Sequence, residues 1–139
     1  MYRNLLFRRF PLAAMLLLLL GTPTSAEPQR PAHRVTSFIE LVANPEQFSG
    51  ETIQIFGWLR FQALLTLYLT EDHAKATDHA SSIAFLVDKS RPLEPLVTCS
   101  NGYVFVSGRV EIRPNGRIGL TDIASIRHST GETCYEYGK

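Results

Sequence analysis

A doubled Asp-His-Ala motif, at residues 72–74 and 78–80, holds the side chains best suited to metal chemistry. Imidazole and carboxylate groups are common ligands of zinc and copper. On a helix each residue turns by about 100°, so His79 would lie about 240° around the axis from His73 and the two rings could not share one ion. We therefore expect a solvated loop or a short helix capped by Thr70, and no metal site. An ion held by His73 and His79 in a folded-back loop is the alternative.

The sequence contains none of the common catalytic motifs. G-x-S-x-G, H-E-x-x-H, a Gly-rich phosphate loop and a cysteine paired with a histidine motif are all absent from it. We therefore assign no catalytic residue and no cofactor, and expect a protein that binds rather than one that catalyses.

Aromatic and arginine side chains alternate with apolar ones in three stretches of the chain. Because successive residues of a strand face opposite sides, alternation assigns one set to a core: Ile53, Ile55, Leu59, Leu65, Leu67, Leu69, Val104, Val106 and Val110. The other set then points outward: Phe56, Trp58, Arg60, Tyr68, Tyr103, Phe105 and Arg109. Such an outer face could stack sugars or bases or anchor a protein. Alternatively, the N-terminal helix, through Phe38 and Leu41, or the C-terminal tail covers these rings. The sequence leaves both readings open.

Five strands and a short helix are predicted to position these side chains. Alternation of β-rich residues places strands at residues 52–61, 64–70, 83–87, 103–112 and 117–126. Before them, Phe38, Leu41 and Val42 fall on one face of a helix that Thr36 or Ser37 can cap and Asn44-Pro45 ends. Residues 71–82 form a loop or helix, and residues 93–97 a further turn. Glycines 57 and 108 lie inside strands, as expected where a small closed barrel bends sharply.

A longer motif connects the helix to the first strand. It has the form N-P-x-x-[FY]-x-G followed by I-x-I-x-G, and is present as Asn44, Pro45, Phe48, Gly50, Ile53, Ile55 and Gly57, with Val104, Val106 and Gly108 in a later strand. In these residues the chain resembles small exported bacterial OB-fold proteins, over residues 36–127. The resemblance implies a mostly β, five-stranded OB-fold-like barrel with a short N-terminal helix and a helix or loop between strands 3 and 4 or 2 and 3. It says little about function, because OB barrels hold unrelated ligands.

The N-terminus has the pattern of a cleavable signal peptide. Arg3, Arg8 and Arg9 precede an apolar run at residues 12–20, which is about half the length that a membrane-spanning helix needs. Small residues before Ala26 favour cleavage after Ala26. We expect a signal peptide at residues 1–26, a flexible leader at 27–35 and one domain at 36–139, periplasmic or secreted and without stable membrane insertion after cleavage. Sec and twin-arginine export both remain open.

Two cysteines, Cys99 and Cys134, fall in the expected mature chain. An exported protein meets an oxidising compartment, where an even cysteine count usually means pairing. We therefore predict one disulfide, which ties down the C-terminal tail. Two free buried thiols are the alternative.

The charge of the expected mature chain limits its partners. The whole sequence has 14 Lys and Arg residues and 13 Asp and Glu residues. Cleavage of the predicted signal peptide removes three arginines and leaves 14 − 3 = 11 basic residues against 13 acidic ones, a net charge of −2 with the histidines neutral. Bulk nucleic-acid binding needs many cations to neutralise phosphates, and is not expected. We expect a non-catalytic periplasmic binding or interaction protein with a protein partner, for example an inhibitor or an envelope-associated module. The alternative is a module for a small ligand, an oligosaccharide or single-stranded nucleic acid.

Overall fold

A computed structural model describes residues 33–138 of the chain. The predicted signal peptide at residues 1–26, its cleavage site after Ala26 and residues 27–32 of the predicted leader lie outside the described residues. None of the described helices has the length and apolar character needed to cross a membrane.

The described residues form seven strands and three short helices. The strands are β1 (Arg34–Thr36), β2 (Thr52–Phe61), β3 (Leu65–Tyr68), β4 (Ser82–Phe85), β5 (Gly102–Ile112), β6 (Ile118–His128) and β7 (Thr133–Glu136). The helices are α1 (Phe38–Ala43), α2 (Glu71–Ala76) and α3 (Glu94–Val97), and two 3₁₀ turns lie at Pro45–Phe48 and His79–Ser81.

Five of these strands close into an OB-fold-like barrel. The ring runs β2-β3-β4-β6-β5 and closes where β5 pairs with β2. All of its pairings are antiparallel except that of β4 with β6. Helix α2 lies between the second and third barrel strands and α3 between the third and fourth. The predicted fold class is therefore confirmed.

Alternation along the strands fills the barrel with aliphatic side chains. All but one of the predicted core residues are fully buried, and Leu69 is partly buried against the same core. Helix α1 closes one side of this core with Phe38 and Leu41. It begins where the Ser37 hydroxyl accepts a hydrogen bond from the Glu40 amide at 3.0 Å. Because Phe38 and Leu41 belong to the barrel core, α1 does not cover the outer aromatic face through these two side chains.

Two glycines allow the barrel to close. A Cβ on Gly57 would lie 2.5 Å from the Tyr68 carbonyl oxygen and 2.9 Å from Leu67 Cγ, so β3 can approach β2 only if residue 57 has no side chain. Gly108 lies at a register shift between β5 and β6, where a Cβ would be 3.1 Å from the Thr121 carbonyl oxygen. At both positions a glycine lies where a side chain would collide with the neighbouring strand, as the sequence analysis predicted for sharply bent strands.

Two short strands extend the sheet beyond the five that were predicted. β1 pairs in parallel with β2, so Arg34 and Val35 of the expected leader belong to the sheet. β7 pairs antiparallel with β6. A disulfide joins Cys99, two residues beyond α3, to Cys134 in β7, with an S–S distance of 2.11 Å. The predicted disulfide is confirmed, and it fixes the C-terminal strand to the barrel.

Candidate functional site

Four aromatic side chains meet on the outer face of β2 and β5. Phe56 lies directly opposite Phe105, and Trp58 opposite Tyr103. Their neighbours along each strand point into the core, so alternation turns all four rings outward. We call this set, Phe56, Trp58, Tyr103 and Phe105, the aromatic ladder. The structure thus brings together four of the seven predicted outer-face residues.

The rings of the ladder pack against one another. The Phe56 and Tyr103 centroids are 5.4 Å apart with planes 10° from parallel, and the Phe56 and Phe105 centroids are 4.8 Å apart. Trp58 meets Tyr103 edge to face at 5.0 Å. Tyr103, on a diagonal across the strand pair, and Phe105, directly opposite, therefore both contact the Phe56 ring. Phe56 is nevertheless 41% exposed.

Helix α2 bounds the ladder at the Trp58 end. The Arg60 guanidinium, on the outer face of β2, donates a hydrogen bond to the Ala74 carbonyl of α2, and Ala74 is buried. Between strand and helix lies a shallow depression of about 190 Å³. Its lining residues are Trp58, Arg60, Glu71, Ala74, Lys75 and Asn101. The indole of Trp58 therefore lies between the Tyr103 ring on one side and this charged depression on the other.

Tyr68 is not available as the sequence predicted. Strand pairing places it opposite Trp58, on the outer side of β3, but it is only 3% exposed. The chain that leaves β3 turns back at once, and α2 packs on β2 and β3. Tyr68 and His79 line a small depression of about 160 Å³ there. Tyr68 therefore points to the outer side of β3, as alternation predicted, but it is covered and does not belong to an exposed binding face.

The two predicted arginines differ in their relation to the ladder. Arg60 borders it, as described above, whereas Arg109 lies opposite Thr52, four positions along β5 from Phe105. Arg109 pairs there with Asp122, its Nε 3.7 Å from the carboxylate. Arg109 therefore does not belong to the same site.

Arg127 is a residue of this face that the sequence analysis did not assign. It lies on β6 directly opposite Phe105 and is exposed. The predicted strand ended at residue 126, whereas β6 continues to His128. Continuing the alternation by one residue beyond buried Ile126 would have placed Arg127 on the outer face.

The two histidines of the Asp-His-Ala motif lie in a capped helix and the turn after it. Thr70 caps α2 as predicted: its hydroxyl accepts a hydrogen bond from the His73 amide at 3.3 Å and lies 2.7 Å from His73 Nδ1. Ser81, by a side-chain hydrogen bond, holds the pKa of Asp78 below its ordinary 3.8. Among residues 33–138, no group of three or more His, Cys, Asp or Glu side chains is placed to hold a metal ion.

Comparison with known proteins adds little to this geometry. No protein-family model and no curated protein matches the chain. A solved structure described as an aspartyl-tRNA synthetase from Leishmania major Friedlin matches 83% of this chain and 23% of its own length, with 14% identity and a TM-score of 0.42. That similarity is too low to bear on function.

Proposed function

We propose that this chain is an exported, non-catalytic binding protein that holds a protein partner against the aromatic ladder. The observation that carries the proposal is the ladder itself: four packed rings on an outer sheet face, with Phe56 41% exposed. Tryptophan and tyrosine are the side chains most enriched among residues that dominate binding energy at protein interfaces. A partner that covers the ladder would remove this apolar area from water.

The packing of the rings favours a protein over a base or a sugar. Stacking of a base requires a free ring face, and the Tyr103 ring already stacks on the Phe56 ring, with Phe105 in contact as well. Aliphatic side chains of a protein partner need contact and exclusion of water rather than a flat platform.

The face that OB barrels commonly use for oligonucleotides is the one formed by the second and third barrel strands. In this chain those strands are β3 and β4, and their two aromatic side chains, Tyr68 and Phe85, are both buried. The exposed rings lie instead on β2 and β5, the first and fourth barrel strands. The location of the ladder therefore supports a role other than oligonucleotide binding.

Two features support export of this protein. Disulfides persist in oxidising compartments and are rare in the cytosol, and Cys99 pairs with Cys134. The N-terminal residues have the charge and apolar pattern of a signal peptide. We therefore propose that the mature domain acts in the periplasm or outside the cell.

An affinity capture experiment tests the proposal. The mature domain, its Phe56→Ala variant and a Leu64→Ala control would each be incubated with periplasmic extract. Leu64 is 62% exposed in the connection between β2 and β3, so the control removes a similar apolar side chain away from the ladder. We expect one partner that is retained by the wild type and by the control and lost by Phe56→Ala. Equal retention by all three proteins would refute binding through the ladder.

A nucleic-acid role makes a different prediction. Binding of a single-stranded oligothymidylate would weaken steeply as salt rises and would be lost on Trp58→Ala. If this behaviour were found and no protein partner were captured, the proposed function would be replaced by the alternative.

A further inference from the structure

We infer that the partner presents an acidic segment to the aromatic ladder, with carboxylates placed around an aliphatic anchor. This inference rests on the proposed function and adds the chemical class of the partner. It follows from two arginines at the border of the ladder, Arg60 and Arg127, and from the exposed apolar surface of Phe56.

Arg127 supplies a positive charge at one border. It lies opposite Phe105 in the β5–β6 pair, its side chain is exposed, and the structure gives it no ion pair with another described residue. A guanidinium in this position offers several N–H donors beside an apolar surface. A carboxylate of a partner docked on Phe56 and Phe105 would lie within reach of it.

A second arginine without an ion pair lies at the Trp58 border. The nearby Lys75 ammonium pairs with two carboxylates, 2.9 Å from Glu71 and 4.0 Å from Asp72. Arg60 lines the depression beside the indole and forms no ion pair with another described residue, since its guanidinium donates to a backbone carbonyl of α2. Arg60 therefore offers a guanidinium beside Trp58, in addition to that of Arg127.

Two other arginines of the sheet are paired with carboxylates of the same chain. Arg109 pairs with Asp122, and Arg34 lies within 3.6 Å of Glu40 and 3.4 Å of Glu51. The arginines beside the ladder, Arg60 and Arg127, differ from these two in having no ion pair among the described residues. Complementary charge on a partner speeds its encounter and selects against basic competitors.

Tryptophan fluorescence gives a direct test, because Trp58 is the only tryptophan in the chain. The mature domain would be titrated with three probes: a short peptide of glutamate, leucine and proline, the same peptide with lysine for glutamate, and a single-stranded oligothymidylate. We expect a saturable change in Trp58 emission with the acidic peptide alone. Binding should weaken as salt rises, since the charges involved are exposed.

Charge reversal identifies the residue responsible. Arg127→Glu should weaken binding of the acidic peptide about five- to tenfold, because an attractive rim pair becomes a repulsive one. Arg113→Glu is the matched control: Arg113 is exposed in the β5–β6 connection, and its variant should bind like the wild type.

The possible failures are distinguishable. Equal binding of the acidic and basic peptides, lost on Phe56→Ala, would overturn the inference and leave the proposed function intact. The inference would also be overturned if no peptide bound, or if a captured partner were retained unchanged by Arg127→Glu. Binding of the oligothymidylate alone would overturn both.

Discussion

Replacing Gly57 by alanine should destabilise the barrel more than any other glycine-to-alanine change in its strands. The new Cβ would lie 2.5 Å from the Tyr68 carbonyl oxygen, a backbone atom held in the β2–β3 pairing. Overpacking of this kind costs about 1–3 kcal/mol, and a backbone neighbour places the value near the upper end. The lower entropy of the unfolded alanine chain offsets about 0.4–1 kcal/mol. We expect a net loss of about 2–2.6 kcal/mol in the free energy of unfolding, or roughly 8–20 °C in Tm.

Urea unfolding followed by Trp58 fluorescence measures this loss. Gly119→Ala is the control, because a Cβ there would also be crowded, at 2.7 Å from Leu86 Cγ, but by a half-buried side chain that can rotate away. We expect its cost to be below about 1 kcal/mol, since flexible neighbours relax. If Gly119→Ala were the more destabilising of the two, the distinction between backbone and side-chain obstacles would be refuted.

Three further predictions concern the disulfide, the α2 cap and an acidic loop. The double variant Cys99→Ser, Cys134→Ser should lose about 3–4 kcal/mol of unfolding free energy in guanidinium titrations, because the bridge closes a loop of 35 residues. Wild type without reductant is the reference, and a loss below about 1 kcal/mol would contradict the estimate. Thr70→Ala should cost about 1 kcal/mol and increase hydrogen exchange in α2, whereas unchanged exchange would show that the cap is dispensable. The pKa of Asp78 is lowered first by Ser81, so its contribution to stability is present above about pH 4 and lost as pH falls through the lower folded pKa. Asp78→Asn should therefore lose less stability on acidification than the wild type in pH-dependent thermal melts, and parallel curves would refute this.

The barrel was predictable because its strands alternate strongly. β2 runs from Thr52 to Phe61, the bounds that the pattern gave, since every second residue is large and apolar or glycine. β1 and β7 were not predictable in the same way. They have three and four residues, too few for a period to be visible, and they exist because longer strands offer them an edge.

The site was predictable only as far as alternation decides it. The alternation of strand residues predicted that four side chains point outward: Phe56, Trp58, Tyr103 and Phe105. It cannot predict whether another segment of the chain covers that face of the strand. Whether Tyr68 is exposed depends on the path of the chain after β3, which is a tertiary property.

Helix α2 decides where a partner can bind on this barrel. It contacts β2 and β3, where Tyr68 is almost fully buried, and its Ala74 carbonyl accepts the hydrogen bond that holds Arg60 beside Trp58. The same helix carries Lys75 at the border of the ladder. We therefore expect the proposed partner to contact the rings of β2 and β5, between α2 on one side and Arg127 on the other. Because these rings alternate with core residues, their removal tests binding while the barrel interior keeps its packing.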